Sequence, residues 1–420
     1  MFYDKTVLKN GVTVISQTLP GFRSVTLGVW VGVGSRDEAP EVSGLSHFME
    51  HMLFKGTEKY NAEELSIAFD EIGAENNAFT SKECTCFYAR FIDRRLPEAL
   101  ALLADMVVNS QFEQECIDSE REVVIEEIAR SEDAPDDYVF DLAAQAMWPT
   151  TPLGRPILGT RDIVGGFETA DCLAYHKAHY TAGNIVVAAA GNVNHAELVR
   201  LSEELFAALP AGKRVVRAAV TDERLAFNIK KKETEQAHII YALPGMPSND
   251  PQRFEAMVLD AVLGSGMSSR LFQEVREKRG LAYAVSSYTM SYAHAGSFAV
   301  YAGTRPSNLE EVVTIIRREL ERALAEGITQ SELDRARESL VSQLIMRSEA
   351  PKQRMASLGR GELLGLDLLS LDEQEARIRA VTLDDVLAVA PRMLAGTPSV
   401  AVISPYEEQD VTERLAALLA

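Results

Sequence analysis

A short apolar stretch of the sequence carries two histidines and a glutamate at helical spacing. His47, Glu50 and His51 lie within "GLSHFMEHMLFKGT". On a helix that advances about 100° per residue, His51 projects about 40° from His47, and Glu50 about 60° to the other side. Imidazoles four residues apart reach one tetrahedral zinc ion, and an adjacent carboxylate can hold a water molecule and accept its proton. The alternative is a buried helix with hydrogen-bonded histidines. In that case each of the three polar side chains would need its own hydrogen-bond partner.

A catalytic zinc ion needs a third protein ligand, which must come from another element. The segment 119–133, "SEREVVIEEIARSED", has the pattern of a helix. Its Glu120 and Glu127 are seven residues apart, so they fall within about 20° of each other and flank Val123 and Val124 on one face. A carboxylate on an apolar face requires a cation or a hydrogen-bond donor, and zinc supplies the charge.

Periodicity alone leaves Glu120 and Glu127 nearly equal as the third ligand. Glu122 and Glu126 of the same segment point toward solvent, and a surface helix rich in acidic residues is the alternative interpretation. We predict that Glu127 is the ligand and that Glu120 is a carboxylate that orients a histidine.

A second histidine pair could in principle bind metal. His176 and His179 in "YHKAHY" are three residues apart, but no carboxylate or cysteine shares their face in an obvious way. We interpret this pair as the structural end of a helix that precedes "TAGN".

The composition is typical of a folded, soluble chain. Its 420 residues exceed one typical domain of roughly 100–200 residues, which predicts two or three domains. With 42 Lys and Arg against 62 Asp and Glu, the net charge is −20, which argues against nucleic acid as a partner. A solvated acidic surface explains this charge, and a mild preference for cationic peptides is the alternative.

The sequence shows no signal for secretion or membrane insertion. The first residues, "MFYDKTVLKNGVTV", lack the pattern of a signal peptide, and the longest apolar run, 185–190, is far shorter than the roughly 20 residues that span a bilayer. The cysteines are too few and too scattered for a disulfide framework; they are Cys84, Cys86, Cys116 and Cys172. We therefore expect a cytoplasmic protein without a membrane span.

The chain repeats one order of elements at an offset of about 210 residues. A strand, a polar loop and a helix that begin at Thr26 recur from Gln236, and later pairs of a strand and a helix recur in the same order. This repeat predicts an α+β fold of two homologous domains, each a mostly antiparallel sheet with helices packed on it. The domains are expected at 1–212 and 225–420, joined by the polar stretch 210–224.

The repeat fails at the predicted metal site. At this offset, the positions of His47, Glu50 and His51 are taken by Met257, Asp260 and Ala261. The second set cannot bind a metal in the same way, so only the first domain is expected to carry zinc chemistry.

The HxxEH spacing, the distant glutamate and the repeat together resemble the pitrilysin family of zinc metallopeptidases (M16), and in particular its short branch, which includes the mitochondrial processing peptidase subunits and their bacterial relatives. The resemblance covers nearly the whole chain. Besides "HFMEH", it rests on "NAFTSKECT" (77–85), "EREVVIEEIARSEDAPDD" (120–137), "PLGRPILGT" (152–160) and "SSRLFQEVREKRGLAYAVSSY" (268–288).

The resemblance assigns roles at the metal site. It implies one Zn2+ per chain, with His47, His51 and Glu127 as ligands. It makes Glu50 the catalytic carboxylate and Glu120 a carboxylate that supports the site.

The resemblance also assigns substrate contacts. In the family, the strand that contains "NAFT" lies at a sheet edge beside the zinc, and the substrate adds to it as another strand. This role passes to Asn77, Ala78, Phe79 and Thr80. An Arg and a Tyr, seven residues apart in the second half, contact the substrate near the scissile bond, which assigns Arg276 and Tyr283. A surface ion pair for Arg276 and a core ring for Tyr283 are the alternatives.

The predicted function is a zinc-dependent endopeptidase that hydrolyses peptides or unfolded segments, bound by strand addition inside a closed chamber. Because four such domains form the chamber in the family, we expect a homodimer, or else a heterodimer with a zinc-less homologue. The alternative functions are a non-proteolytic partner subunit and a catalytic chain that is active only with a zinc-less partner. The complete zinc motif counts against the first of these.

Overall fold

The computed structural model describes residues 2–220 and 224–420, and the chain divides into two compact units. The first unit consists of Met1–Ala129, Pro156–Arg217 and Met346–Ser370, and the second of Arg130–Arg155, Ala218–Ile345 and Leu371–Ala420. The chain passes from the first unit to the second within the predicted joint 210–224, of which 221–223 lie outside the described residues. The contiguous limits 1–212 and 225–420 stay a prediction for the domains, since packing groups two segments with the opposite half of the sequence.

Each unit is built around one sheet. The strands of the first sheet are β1 (Asp4–Val7), β2 (Thr13–Thr18), β3 (Ser24–Val31), β4 (Glu75–Thr80), β5 (Thr85–Ile92) and β6 (Ile185–Gly191). Those of the second sheet are β7 (Phe227–Lys231), β8 (Ala237–Pro244), β9 (Ala282–Ser291), β10 (Gly296–Thr304) and β11 (Ser399–Ser404).

Apart from β1, the two sheets have the same topology. The first sheet has the strand order β1-β2-β6-β3-β5-β4, and the second has the order β7-β11-β8-β10-β9. In each sheet one pair is parallel, β2 with β6 and β7 with β11, and the other pairs are antiparallel. The equivalence confirms the predicted α+β fold of two homologous domains.

Helices cover both sheets. They are α1 (Leu45–Met52), α2 (Ala62–Glu71), α3 (Leu96–Asn109), α4 (Gln114–Asp133), α5 (Pro135–Met147), α6 (Arg161–Val164), α7 (Thr169–His179), α8 (His195–Leu205), α9 (Arg253–Leu263), α10 (Leu309–Glu326), α11 (Gln330–Ser348), α12 (Pro351–Leu364), α13 (Leu371–Ala380), α14 (Leu383–Leu394) and α15 (Glu408–Leu419). Within the described residues, none of them is long and apolar enough to cross a membrane.

The central strands of the first sheet, β3, β5 and β6, are buried on both faces. Successive side chains of β5 point to opposite faces, as the pleat requires. Phe87 packs into the core that contains Phe48 of α1. Tyr88 packs into a second cluster that contains Met355 of α12. The helix that bears the histidine pair and α12 therefore lie on opposite faces of the same sheet.

Each unit takes one helical segment from the opposite half of the sequence. Residues 346–370, with α12, belong to the first unit, and residues 130–155, with α5, belong to the second. In the second unit, Val139 of α5 shares a buried cluster with Ile240 and Ala401 of the sheet. Each exchanged helix buries an apolar face against a sheet, and that burial is the main stabilising contribution.

Candidate metal centre

The amino end of α1 is held by a carboxylate and two glycines. Glu38 is buried, and its two carboxylate oxygens accept hydrogen bonds from the backbone N–H groups of Gly44 at 2.8 Å and Ser46 at 2.7 Å. Donors at this end have no acceptor within the helix, so Glu38 caps it. Gly44 has a φ of 99° and Gly159 one of 76°, and a Cβ on Gly159 would lie 2.3 Å from the carbonyl oxygen of Ser43. The "PLGRPILGT" motif therefore fixes the start of α1 by close backbone contact.

Three side chains converge in front of α1. The Nε2 atoms of His47 and His51 lie 3.7 Å and 3.5 Å from Oε2 of Glu127. One ligand atom from each residue lies within 4.8 Å of the other two, and this is the one such group of three in residues 2–220 and 224–420. The separations are too long for hydrogen bonds. Atoms that bind one tetrahedral zinc at about 2.0–2.1 Å are about 3.4 Å apart, so the donor set fits a zinc ion.

A chain of polar contacts leads away from the second histidine. Nδ1 of His51 lies 2.9 Å from Oε1 of Glu120, and Oε2 of Glu120 accepts a hydrogen bond from Nζ of Lys55 at 2.5 Å. Glu120 is only 4% exposed. A carboxylate at this position favours the tautomer of His51 with its proton on Nδ1, in which Nε2 can bind a metal. Lys55 was not predicted, although it follows His51 by one helical turn.

The structure separates the two glutamates that periodicity left nearly equal. Glu120 is buried against His51, whereas the side chain of Glu127 is 42% exposed and faces both histidines. Glu122 and Glu126 are exposed, as expected. The expectation that Val123 shares the apolar face is wrong, because Val123 is 43% exposed. The buried face of α4 is centred to the other side of Glu120, so positions on the Glu127 side emerge at its margin.

Burial shapes the proton equilibria of the site. Burial, and then the charge of His51, lower the pKa of His47 to about 3, which favours the neutral imidazole that binds metals. Burial also lowers the pKa of His51, but the hydrogen bond to Glu120 and the charge of Glu127 outweigh it and raise that pKa above its ordinary value. Burial raises the pKa of Glu50, although the interaction with Thr80 acts to lower it. Within the described residues, Oε2 of Glu50 and Nδ1 of His47 are buried without a hydrogen-bond partner.

Strand β4 lies beside this group at the edge of the sheet. It pairs with β5, and no other described strand pairs with it. Oγ1 of Thr80 donates to the carbonyl oxygen of Ser46 at 3.4 Å. The end of β4 is therefore joined to α1 at Ser46, one helical turn before the motif glutamate, Glu50.

Among the remaining residues of the predicted substrate strand, Asn77 and Phe79 share the face of the sheet that α12 covers, and Ala78 packs on the opposite face. Phe79 packs edge-on against Trp30, with 5.5 Å between ring centroids, in the cluster that includes α12. Asn77 is exposed, and its Oδ1 accepts a hydrogen bond from the N–H of Ala78 at 2.7 Å. An edge strand with exposed backbone groups can accept another strand.

Arg276 and Tyr283 lie together in the second unit. The guanidinium carbon of Arg276 is 4.7 Å from the ring centroid of Tyr283 and 4.9 Å from that of Phe272. Arg276 lies on a π-helix, Phe272–Glu277, a rare element that is frequent at functional sites. Tyr283 is 78% exposed, so it is not a core ring, and Arg276 forms no ion pair with any described residue.

The second histidine pair has structural contacts. His176 lies at the end of α7, with Nε2 2.8 Å from the carbonyl oxygen of Val107, and its ring stacks on Tyr180 at 4.6 Å. The ring of His179 lies 4.5 Å from that of Tyr175. These contacts agree with the interpretation of the pair as a helix end.

The position equivalent to Glu50 in the second unit carries a half-buried carboxylate. Asp260 lies on α9, and Oγ of Ser287 donates a hydrogen bond to it. Burial raises its pKa from 3.8 to about 6, although the hydrogen bonds from Ser287 and Ser265 oppose the shift.

Asp260→Asn is expected to stabilise the protein in a pH-dependent manner. A folded-state pKa above the unfolded value contributes stability below about pH 4, and this contribution is lost as the pH rises to about 6. The loss is on the order of 3 kcal/mol, so the variant should gain up to that amount at pH 7.5 relative to its effect at pH 4. Urea unfolding at both pH values, with the exposed Asp372→Asn as control, measures it. The same difference at both pH values would contradict the assignment.

The fold and the donor set define a class, an α+β chain of two similar units with one candidate zinc site, and comparison with known proteins defines the family. The family model described as insulinase (peptidase family M16) matches residues 13–161, and the one described as the peptidase M16 inactive domain matches residues 167–340. The second stretch contains the positions at which the zinc motif is replaced. The chain belongs to peptidase family M16.

Two relatives agree with this assignment. An uncharacterized zinc protease of Streptomyces coelicolor is 44% identical over 97% of this chain and 91% of its own length. The uncharacterized zinc protease YmxG of Bacillus subtilis is 38% identical over 94% of this chain and 97% of its own.

Two solved structures share the fold. The peptidase M16 inactive domain from Pseudomonas fluorescens superimposes with a TM-score of 0.91 at 21% identity, over 97% of this chain and 98% of that one. A protease from Helicobacter pylori has a TM-score of 0.87 at 22% identity, over 96% and 98% of the two chains.

Proposed function

We propose that this protein is a zinc-dependent endopeptidase. The observation that carries the proposal is the convergence of His47, His51 and Glu127 on one point, with the carboxylate of Glu50 on the same helix as the histidines. These three residues would hold one zinc ion. When bound, zinc supplies Lewis-acid chemistry that makes water more acidic and a peptide carbonyl more electrophilic.

The chain's own groups account for proton movement. Glu50 would accept the proton of the attacking water at its carboxylate and return it to the departing amine. The raised pKa of Glu50 brings the carboxyl closer to the pH at which such an exchange is efficient. Glu120 would hold His51 in one tautomer, and Lys55 balances the buried charge of Glu120.

Substrate binding would use the free edge of β4. Pairing with residues 77–80 would use hydrogen bonds to the main chain of the peptide, which every sequence offers, so peptides of varied sequence could bind. Arg276 has no side-chain hydrogen bond or ion pair among the described residues, so its donors are available to a substrate carbonyl. Tyr283 would hold the Arg276 guanidinium in place through the cation–π contact.

The proposal includes a homodimer located in the cytoplasm, with peptides rather than nucleic acid as substrates. The alternatives are a heterodimer with a zinc-less homologue and a non-proteolytic partner subunit. Sedimentation of the purified chain, with peptidase activity measured across the same peak, distinguishes these arrangements. Activity in a dimer of this chain alone is the expected result.

Digestion of unstructured peptides by the purified protein tests the function. Protein stripped with a chelator should not cleave them, and one equivalent of zinc should restore cleavage at internal bonds, identified by mass spectrometry. Zinc-loaded, folded dimer that cleaves no member of a diverse peptide library would overturn the proposal and favour the partner subunit.

Lys55→Met is expected to weaken zinc binding about tenfold, because Glu120 loses the cation that fixes it against His51. Zinc affinity is measured by competition with a chromogenic chelator, and unfolding of the zinc-free protein is measured in parallel. Lys55→Arg should recover most of the affinity, since it keeps the charge. Lys59→Met is the matched control, because Lys59 contacts Asp105 instead, at 3.5 Å. Equal zinc affinity in Lys55→Met and wild type would exclude this role.

A further inference from the structure

A cleft lies beside the free edge of β4, on the face of the sheet that α12 covers. Its volume is about 550 Å3, and it lies entirely within the first unit. The side chains that matter for its chemistry are Phe22, Glu75, Tyr88, Arg90, Glu349 and Lys352. Neither the metal site nor the proposed catalytic groups use this cleft.

The strand register places the cleft in line with a bound peptide. Tyr88 of β5 is directly opposite Asn77 of β4, and Arg90 is opposite Glu75. Residues opposite one another in a sheet project to the same face. A peptide strand added to β4 would continue this line, so alternate peptide side chains would project over Asn77 into the cleft. Strand addition by itself recognises the peptide backbone, and the cleft could add selection among the peptide's side chains.

One cation in the cleft has no anionic partner. Nζ of Lys352 donates a hydrogen bond to the hydroxyl of Tyr88 at 2.5 Å and lies 4.3 Å from the centroid of that ring. Within residues 2–220 and 224–420, Lys352 makes no ion pair. An ammonium group has three donors, and Tyr88 accepts one of them.

Of the charged side chains in the cleft, Lys352 is the one that is held in place without an ion-pair partner among the described residues. Arg90 and Glu75 lie 3.6 Å apart and largely balance each other. Glu349 is exposed, and among the described residues its carboxylate accepts no hydrogen bond. Tyr88 is buried and bonded to Lys352, so it holds the ammonium group beside Asn77 in the strand register. Lys352 is exposed, so an ion pair formed there would have the modest strength of a solvated contact, and its value to the protein would lie in selecting one side chain.

We propose that this cleft is a specificity pocket for an acidic side chain of the bound peptide, with Lys352 as its partner. The inference rests on the proposed peptidase function and on strand addition to β4. The net charge of −20 suggests a mild preference for cationic peptides instead. Salt screens that distant charge, whereas the ammonium group of Lys352 would contact the peptide side chain directly.

Quenched fluorescent peptides test the pocket. One residue of an otherwise uncharged sequence is changed to Glu, Gln or Lys and moved through each position around the cut. With zinc-loaded wild type, Glu is expected to exceed Gln in kcat/KM by about three- to tenfold at one position, as for a charge-assisted contact at a partly exposed site. The ratio should fall toward one in 0.5 M salt.

Two variants assign the preference. Lys352→Met should bring the ratio of Glu to Gln close to one, and Lys352→Glu should make Lys the preferred residue at that position. Lys177→Met removes an exposed lysine of α7 and should leave the ratio unchanged. Thermal unfolding checks that each variant is folded.

Two kinds of result would overturn the inference. Cleavage without a Glu preference at any position, or with a preference that survives in Lys352→Met, excludes the pocket while the peptidase function stands. A preference for Lys that is lost in Glu349→Gln assigns the cleft to cationic side chains instead. If no peptide is cleaved at all, the proposed function fails, and the pocket assignment fails with it.

Discussion

Glu50→Gln is expected to lower peptide cleavage by about a hundredfold or more while zinc remains bound. The amide matches the carboxylate in shape but cannot accept a proton from the attacking water. Glu50 is not one of the three converging groups, which are His47, His51 and Glu127. Its loss should therefore affect the reaction and not the metal content. The measurement is kcat/KM on an internally quenched peptide, together with zinc content by mass spectrometry.

A matched control comes from the second domain. Asp260 takes the equivalent helix position and is half-buried, as Glu50 is, but it has no adjacent histidines. Asp260→Asn should keep full activity, so loss of a half-buried carboxylate as such would not explain the Glu50 result. Wild-type turnover in zinc-loaded Glu50→Gln would exclude Glu50 as the proton acceptor.

Glu127→Gln is expected to reduce zinc affinity at least a hundredfold, and Glu126→Gln to leave it within twofold of wild type. Loss of a group that only supports a ligand already costs about 10–100-fold, and Glu127 is proposed as a ligand itself. The two glutamates are adjacent on α4, but Glu127 faces both histidines at 3.5–3.7 Å and Glu126 is exposed. Chelator competition measures both affinities under the same conditions.

Comparing the zinc affinities of Glu127→Gln and Glu126→Gln separates the effect of side-chain position from that of charge. Each variant removes one negative charge from the same helix, so a general electrostatic effect on zinc would lower both affinities alike. Equal losses would show that the facing of α4 does not determine the ligand. A large loss in Glu126→Gln alone would transfer the role to that residue.

Features that depend on local periodicity were predictable from the sequence. The repeat of strands and helices predicted two sheets of one topology, and the structure confirms this fold. Helical spacing placed His47, Glu50 and His51 together, since the backbone geometry of one helix determines their relative directions. The exposure of Glu122 and Glu126 followed from the same argument.

Features that depend on contacts between distant segments were not predictable in this way. Periodicity left Glu120 and Glu127 nearly equal, and only packing against α1 buries one and leaves the other facing the histidines. The Glu38 cap depends on a loop conformation that has no periodic signal.

Long-range packing also explains the missed exchange of helices. The exchange of α5 and α12 between the units requires a choice between two similar sheets, and an amphipathic pattern does not encode which sheet a helix covers. Val123 was misassigned because the buried face of α4 is centred on the side of Glu120 away from Glu127, which leaves Val123 outside it.

Anomalous diffraction at the zinc absorption edge, from crystals of the zinc-loaded protein, tests the proposed metal centre most directly. One peak per chain is predicted. The zinc ion that it marks should be coordinated by Nε2 of His47, Nε2 of His51 and the carboxylate of Glu127, while Glu120 is hydrogen-bonded to His51. Coordination by Glu120 in place of Glu127, a zinc ion at another site, or no peak with zinc in excess would contradict the proposed metal centre.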